Sequence, residues 1–138
     1  MSQSTAELQV IRVVGAAIRN AQGEYLVAQR GEHMSTPGKW EFPGGKLERN
    51  ESPEEALARE IKEELNLTIQ VNRWIGVGMA KVSPRKQVRL DVYEATILSG
   101  ELKLHEHQQV KWLEPSAFQA LDWAQADLPI VERMMQTK

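Results

Sequence analysis

Apolar and polar positions along the chain predict a succession of short strands with one strongly amphipathic helix between them. Strands are predicted where β-branched and other apolar residues dominate, at residues 10–18, 25–29, 68–82, 88–98 and 109–113. Residues 20–23 resemble a turn, so the first two strands are expected to pair as a hairpin. A short extended segment is predicted at 40–43, and it ends at the Gly44-Gly45 turn.

Glycine and proline positions mark the remaining boundaries. Gly76 and Gly78 are expected to interrupt the strand at 68–82, and turns are predicted at 83–86 and 99–100. Two later helices are predicted, one beginning at 114–116 and one spanning 126–135. Three tryptophans are expected mainly in the core, namely Trp40, Trp74 and Trp112.

Residues 53–65 carry the clearest helical pattern of the chain. Ser52 is suited to cap the N-terminus, with Glu55 as the reciprocal partner of a capping box. Asn66 follows at the position where a left-handed residue commonly ends a helix. The residues expected to face the core form one apolar arc, namely Leu57, Ile61 and Leu65.

Three carboxylates lie beside that apolar arc. At about 100° per residue, Glu60, Glu63 and Glu64 fall within an arc of roughly 100°. Like charges at this spacing repel by a few tenths of a kcal/mol per pair, unless a cation neutralises them. Mg²⁺ prefers such oxygen ligands. A solvated acidic face is the alternative, but the preceding Gly-Gly turn and the spacing of Glu51 and Arg59 favour a metal site.

Composition and charge narrow the functional class. The 138 residues are expected to form a single domain, 1–138, and 41% of them are hydrophobic. The chain has no run of 18 apolar residues, no apolar leader and no cysteine, which together predict a cytoplasmic protein without a membrane span. The net charge of −2 argues against a general nucleic-acid binder.

The stretch from Gly45 to Leu67 resembles the signature of the Nudix hydrolases. The matching positions are Gly45, Glu51, Arg59, Glu60, Ile61, Glu63, Glu64 and Leu67. One position departs, because Asn66 stands where the family usually has glycine; asparagine tolerates the same backbone conformation. The segments 28–30, 38–45, 105–108 and 126–129 are similar to the MutT-type branch of this family, so the resemblance extends over nearly the whole chain.

This resemblance implies an α/β fold, the Nudix α/β/α sandwich around a mixed β-sheet. It also implies hydrolysis of nucleoside triphosphates to the monophosphate and pyrophosphate, with oxidised nucleotides such as 8-oxo-dGTP among the substrates. The implied role is therefore sanitisation of the nucleotide pool and DNA repair. A small-molecule nucleotide is the expected partner, without stable nucleic-acid binding, and the expected state is a monomer or weak homodimer.

The resemblance also implies a magnesium site, at which Mn²⁺ could substitute. The implied ligands are the backbone carbonyl of Gly44 and four side chains, namely Glu60, Glu63, Glu64 and Glu106. Glu60 is the favoured general base, with Glu51 or Glu106 as alternatives. Arg59 and Glu51 are expected mainly to brace the loop against the helix, since an arginine fork can hold a carboxylate through two hydrogen bonds.

Substrate contacts are implied on both sides of the glycine turn. Arg30 matches a phosphate-contacting arginine, while Glu41 and Asp127 align with base-contacting positions. The remaining implied substrate-binding residues are Phe42, Gly45 and Lys46. Asp127 replaces the asparagine usual in the oxidised-guanine enzymes, and an ionised aspartate only accepts hydrogen bonds. This difference moves the expectation towards relatives that prefer CTP or 5-methyl-dCTP, or that have broader specificity.

Other interpretations remain open. The chain could hydrolyse another diphosphate, such as an RNA end, a dinucleoside polyphosphate or ADP-ribose, or it could be a ligand-binding Nudix module without activity. Trp123 could line the base pocket, although a core position is more common for tryptophan. His105 and His107 have no third ligand in view, so zinc is disfavoured. The basic residues at 81–89 are expected to be solvated.

Overall fold

The computed structural model of the protein describes residues 7–136. These residues form seven strands: β1 (Gln9–Ile18), β2 (Tyr25–Gln29), β3 (Trp40–Glu41), β4 (Gly44–Lys46), β5 (Leu67–Ser83), β6 (Lys86–Gly100) and β7 (Gln109–Leu113). Two α-helices accompany them, α1 (Pro53–Leu65) and α2 (Leu128–Gln136), together with two 3₁₀ turns at Pro115–Ala120 and Gln125–Asp127. No helix among residues 7–136 is long and apolar enough to cross a membrane.

A mixed four-stranded sheet forms the centre of the fold, in the order β4-β1-β6-β5. β1 pairs with β6 in parallel and with β4 antiparallel. Side chains of β1 alternate between the two faces of this sheet, so Val14 and Ala16 pack with α1 while Ala17 packs with α2. A helix therefore covers each face, which confirms the predicted fold class.

A second, antiparallel sheet has the order β3-β2-β7, and it shows that the predicted hairpin between β1 and β2 is wrong. The two strands meet only at an isolated bridge between Arg19 and Tyr25. Both edges of β1 are already occupied by β4 and β6, so β2 has no free edge to join. The turn itself forms, since the side-chain oxygen of Asn20 accepts hydrogen bonds from the backbone N–H of Gln22 and Glu24.

The long hairpin of β5 and β6 is more continuous than predicted. β5 runs through Gly76 and Gly78, and shifts in its register against β6 accommodate the irregularity. A Cβ at Gly78 would overlap the carbonyl oxygen of Ala126. The glycine thus permits the turn before α2 to approach the sheet, rather than ending the strand. The predicted turn at residues 99–100 is also wrong, because Gly100 still pairs with Leu67.

Aromatic side chains fill the core on the α2 side. Phe42, Phe118 and Trp123 pack at ring-centroid separations of 5.3–6.0 Å. Trp40 is buried as predicted. The prediction for Trp74 is wrong: its side chain is exposed, and its indole N–H donates to Asp91 at 2.9 Å.

The predicted ends of α1 are confirmed. Ser52 and Glu55 form the capping box with bonds of 3.0 and 3.1 Å, and Asn66 adopts φ 62° at the C-terminus. The buried residues of this helix are Ala56, Leu57, Ile61 and Leu65. α1 therefore presents its apolar arc to the core and leaves the acidic edge beside it.

Candidate active site on the acidic helix

The glycine turn and the acidic helix lie against each other. Gly45 in β4 pairs with Val14 of β1, so the turn is anchored to the central sheet. A Cβ at Gly45 would overlap the carboxylate of Glu60. The absence of a side chain at Gly45 therefore lets the carboxylate of Glu60 lie directly against the backbone of the turn.

Arg59 links the loop, the turn and the helix. Its Nε and Nη2 donate to the two carboxylate oxygens of Glu51 at 2.7 and 3.0 Å, and Nη2 also donates to the carbonyl of Lys46 at 3.2 Å. Glu51 additionally accepts from the backbone N–H of Glu48. The Arg59 fork and this N–H lower the pKa of Glu51 below its ordinary value. This arrangement matches the predicted bracing role and makes Glu51 a poor proton acceptor.

Glu60 and Glu63 share the remaining part of the same guanidinium. Nη1 of Arg59 lies 3.1 Å from Oε2 of Glu60 and 3.4 Å from Oε1 of Glu63. The Glu60 side chain is 16% exposed and that of Glu63 is 60% exposed, so the pair spans from the turn out to solvent. Within residues 7–136, no three His, Asp or Glu side chains are already grouped as a cation site.

Glu64 has the least compensated charge of the cluster. One of its carboxylate oxygens, Oε1, is buried and has no hydrogen-bond partner among the described residues. Burial, followed by the negative charge of Glu60, raises the pKa of Glu64 to about 8; Glu41 and Glu106 contribute in the same direction. A buried, unpartnered oxygen facing several carboxylates is a position that an oxygen-seeking divalent cation fits.

A second network connects β2, β3 and the loop before β7. Nη1 of Arg30 donates to Oε1 of Glu41 at 2.5 Å, and Nε2 of His107 lies 2.8 Å from Oε2 of the same carboxylate. Arg30 also donates to the carbonyl and the hydroxyl of Ser35. Arg30 is therefore not a solvated residue at a strand end but part of a half-buried ion-pair network.

Asp127 is buried beside this network. Its Oδ2 accepts the backbone N–H of Phe42 at 2.9 Å. Burial, with a smaller contribution from Glu41, raises the pKa of Asp127 well above the ordinary value for aspartate. A protonated Asp127 can donate a hydrogen bond, which an ionised one cannot.

The predicted residues thus form two neighbouring groups. The group predicted to bind the metal, Glu60, Glu63 and Glu64, lies along α1. Glu106 is exposed, and its negative charge contributes to the raised pKa of Glu64. The group predicted to contact the base contains Glu41 and Asp127. Of the other predicted substrate-binding residues, Lys46 is exposed whereas the Phe42 side chain is buried in the aromatic core.

The contact of His107 with Glu41 is not predicted from the sequence, in which His107 and His105 form only a disfavoured zinc pair. In the structure His105 is exposed, while His107 is buried against Glu41. The one sequence feature that singles out His107 is its place in the segment 105–108, which resembles the MutT-type branch. A separate cavity of about 510 Å³ is lined by Arg19, Tyr25 and Glu94, and none of the predicted site residues lines it.

The chain is similar to known proteins in both sequence and structure. The sequence model of the NUDIX domain matches residues 10–134. The chain is 37% identical to the CTP pyrophosphohydrolase of Escherichia coli over 128 residues, which cover 93% of each chain. It is 30% identical to the 8-oxo-dGTP diphosphatase of Haemophilus influenzae, covering 92% of this chain and 93% of that protein. The crystal structure of the MutT protein from Methanosarcina mazei superposes with a TM-score of 0.82 at 30% identity, covering 93% and 94% of the two chains.

Proposed function

The chain belongs to the NUDIX family of hydrolases, as a member of MutT type, and from that premise we propose that it is a Mg²⁺-dependent nucleoside triphosphate pyrophosphohydrolase. The products are the nucleoside monophosphate and pyrophosphate. The observation that carries the proposal is the buried, unpartnered oxygen of Glu64 beside Glu60, on a helix edge braced by Arg59.

The proposed metal ligands supply only oxygen atoms. They are the carbonyl of Gly44 and the carboxylates of Glu60, Glu63, Glu64 and Glu106. Hydrolases of this family generally use a divalent metal, and Mg²⁺ is the biologically common ion with this ligand preference. When bound, the metal neutralises negative charge on the phosphate oxygens, which is the main obstacle to attack by water.

The chain's own residues divide the remaining tasks. We assign Glu60 as the general base that takes the proton of the attacking water, because Glu51 is held by two hydrogen bonds from Arg59 and one from a backbone N–H, whereas Arg59 donates a single bond to Glu60. Arg59 and Glu51 fix the loop against α1. Glu106 stays an alternative base.

The nucleobase is assigned to the side of Glu41 and Asp127. The raised pKa of Asp127 supports a protonated carboxyl that donates to the base, in the place where an asparagine amide would donate. This makes two substrate classes specific candidates: oxidised purines such as 8-oxo-dGTP, and cytidine nucleotides such as CTP or 5-methyl-dCTP. Similarity to a protein named CTP pyrophosphohydrolase favours testing the second class with equal weight.

The proposal is tested by comparing kcat/KM for 8-oxo-dGTP, dGTP, CTP and 5-methyl-dCTP in the presence of Mg²⁺, with identification of the phosphate product. We expect pyrophosphate; release of orthophosphate would place the cleavage elsewhere. Glu63→Gln is expected to lower kcat by several orders of magnitude while the protein stays folded. Glu54→Gln, an exposed carboxylate in the first turn of the same helix, is the matched control and should keep normal activity.

A further inference from the structure

His107 is a buried polar residue to which the proposed reaction assigns no task. Its side chain is only 1% exposed, and its Nε2 lies 2.8 Å from Oε2 of Glu41. The other oxygen of Glu41 is bound by Arg30. Each carboxylate oxygen of Glu41 therefore has one fixed partner, and the two partners come from different parts of the chain.

The loop that carries His107 is fixed tightly to β2. The backbone N–H of Gln108 donates to the carbonyl of Gln29 at 2.9 Å, and its side-chain amide donates to the carbonyl of Arg30 at 3.1 Å. A Cβ at Gly31 would overlap the carbonyl oxygen of Glu106. Glu106 and His107 are thus held on adjacent residues of a loop that has little room to shift.

A packing role alone does not explain a histidine at this position. Because the Glu41 carboxylate accepts, Nε2 of His107 must donate, and Nδ1 is left buried without a partner among residues 7–136. An unsatisfied buried polar atom is unfavourable, and an apolar side chain of similar size would avoid it. The compensating gain is the hydrogen bond to Glu41.

We propose that His107 is a positioning residue that fixes the Glu41 carboxylate for the nucleobase and ties it to the loop carrying Glu106. One side chain then connects the base side and the metal side of the site. The inference rests on the proposed function for the roles of Glu41 and Glu106, but the hydrogen bond itself does not.

Two amide variants separate the hydrogen bond from packing. In His107→Gln, the side-chain amide extends to the position of Nε2, so its N–H can still donate to Glu41. In His107→Asn, the side chain is one methylene shorter and its amide does not reach Glu41. We expect His107→Asn to lower kcat/KM by about 10- to 100-fold, the range typical for loss of a supporting partner. The loss should lie mainly in a higher KM, because Glu41 is assigned to bind the nucleobase. His107→Gln should stay within about threefold of wild type, since the donor is retained. His105→Asn is the control, because His105 is exposed on the same loop.

Two further measurements do not depend on activity. The ¹H–¹⁵N spectrum of the imidazole should show the proton on Nε2, and a proton only on Nδ1 would overturn the inference. The Mg²⁺ concentration that gives half of the maximal thermal stabilisation should rise in His107→Asn and not in His107→Gln. An equal half-maximal Mg²⁺ concentration in His107→Asn and His107→Gln would show that the hydrogen bond to Glu41 does not affect the loop carrying Glu106.

The outcomes also separate this inference from the proposed function. A wild-type protein that hydrolyses no nucleoside triphosphate would overturn the proposed function, whereas the imidazole spectrum would still decide the hydrogen bond. An active wild type with an equally active His107→Asn variant would overturn the positioning role alone. Equal loss in the Asn and Gln variants would show that the imidazole shape matters instead of the donor, which also contradicts the inference.

Discussion

Glu64 is a buried carboxylate whose ionisation opposes the stability of the folded protein. Because burial raises its folded-state pKa from 4.5 to about 8, the folded protein binds more protons than the unfolded chain between those pH values. Its contribution to stability therefore falls as pH rises through that window. Residues that favour function over stability in this way are common at active sites.

Glu64→Gln is therefore expected to stabilise the metal-free protein at pH 8. After allowance for partial exposure, we expect a gain of about 1 kcal/mol, and little gain near pH 4.5 where the wild-type carboxyl is protonated. Thermal unfolding in EDTA across this pH range measures the difference. Glu63→Gln is the control, since the Glu63 side chain is 60% exposed; an identical pH slope in both variants would contradict the assignment to Glu64.

Individual side-chain contacts could be predicted from the sequence only where the partners lie close together along the chain. The Arg59–Glu51 fork lies within one loop and one helix turn, and the expected bracing geometry is present. The bond between His107 and Glu41 joins residues 66 positions apart, and no periodicity connects them. The charge state of Asp127 likewise depends on burial that only the folded chain creates.

The same distinction applies to the helices and strands. The bounds of α1 agree with prediction because its caps are local: Ser52, Glu55 and Asn66 all lie within a few residues of the ends. Strand pairing is different, because β1 has only two edges and several strands of similar composition could pair with either of them. The sequence predicts β1 and β2 as strands, but competition for those edges, which places β4 and β6 there, is decided by the whole fold.

The end of α1 offers a direct test of backbone conformation. Asn66 has φ 62°, and its side chain donates to the carbonyl of Glu101 at 3.0 Å. Asn66→Ala is expected to cost about 1 kcal/mol, because a Cβ without a local hydrogen bond is disfavoured in this conformation. The free energy of unfolding of Asn66→Gly should stay within about 0.5 kcal/mol of wild type. Glycine adopts this positive φ without steric cost, but it loses the side-chain hydrogen bond to Glu101.

Urea unfolding at neutral pH measures both changes. Asn72→Ala is a suitable control, because Asn72 is exposed and its φ is not among the positive values of the described residues. A cost for Asn66→Gly equal to that for Asn66→Ala would show that the side-chain bond, and not the left-handed conformation, stabilises this helix end.

At the scale of the whole molecule, negative charge is concentrated in one segment of the chain. The segment 48–64 holds seven glutamates against three basic residues, in a chain whose total charge is −2. The acidic edge of α1, formed by Glu60, Glu63 and Glu64, lies within this segment, while the two cores on either side of the central sheet are apolar. A cation bound at that edge should therefore stabilise the entire fold, because it binds the folded chain and not the unfolded one.

Mg²⁺ at about ten times its dissociation constant is expected to raise the free energy of unfolding by about 1.4 kcal/mol. For a chain of this size, that corresponds to a rise of about 5 °C in Tm. Thermal unfolding with and without Mg²⁺, against NaCl of equal ionic strength, separates specific binding from general screening. Glu63→Gln should lose most of the stabilisation, while Glu54→Gln should keep it. If NaCl stabilised the wild-type protein as much as Mg²⁺ does, the acidic edge would be responding to ionic strength alone. If Mg²⁺ stabilised Glu63→Gln as much as Glu54→Gln, Glu63 would not be a ligand.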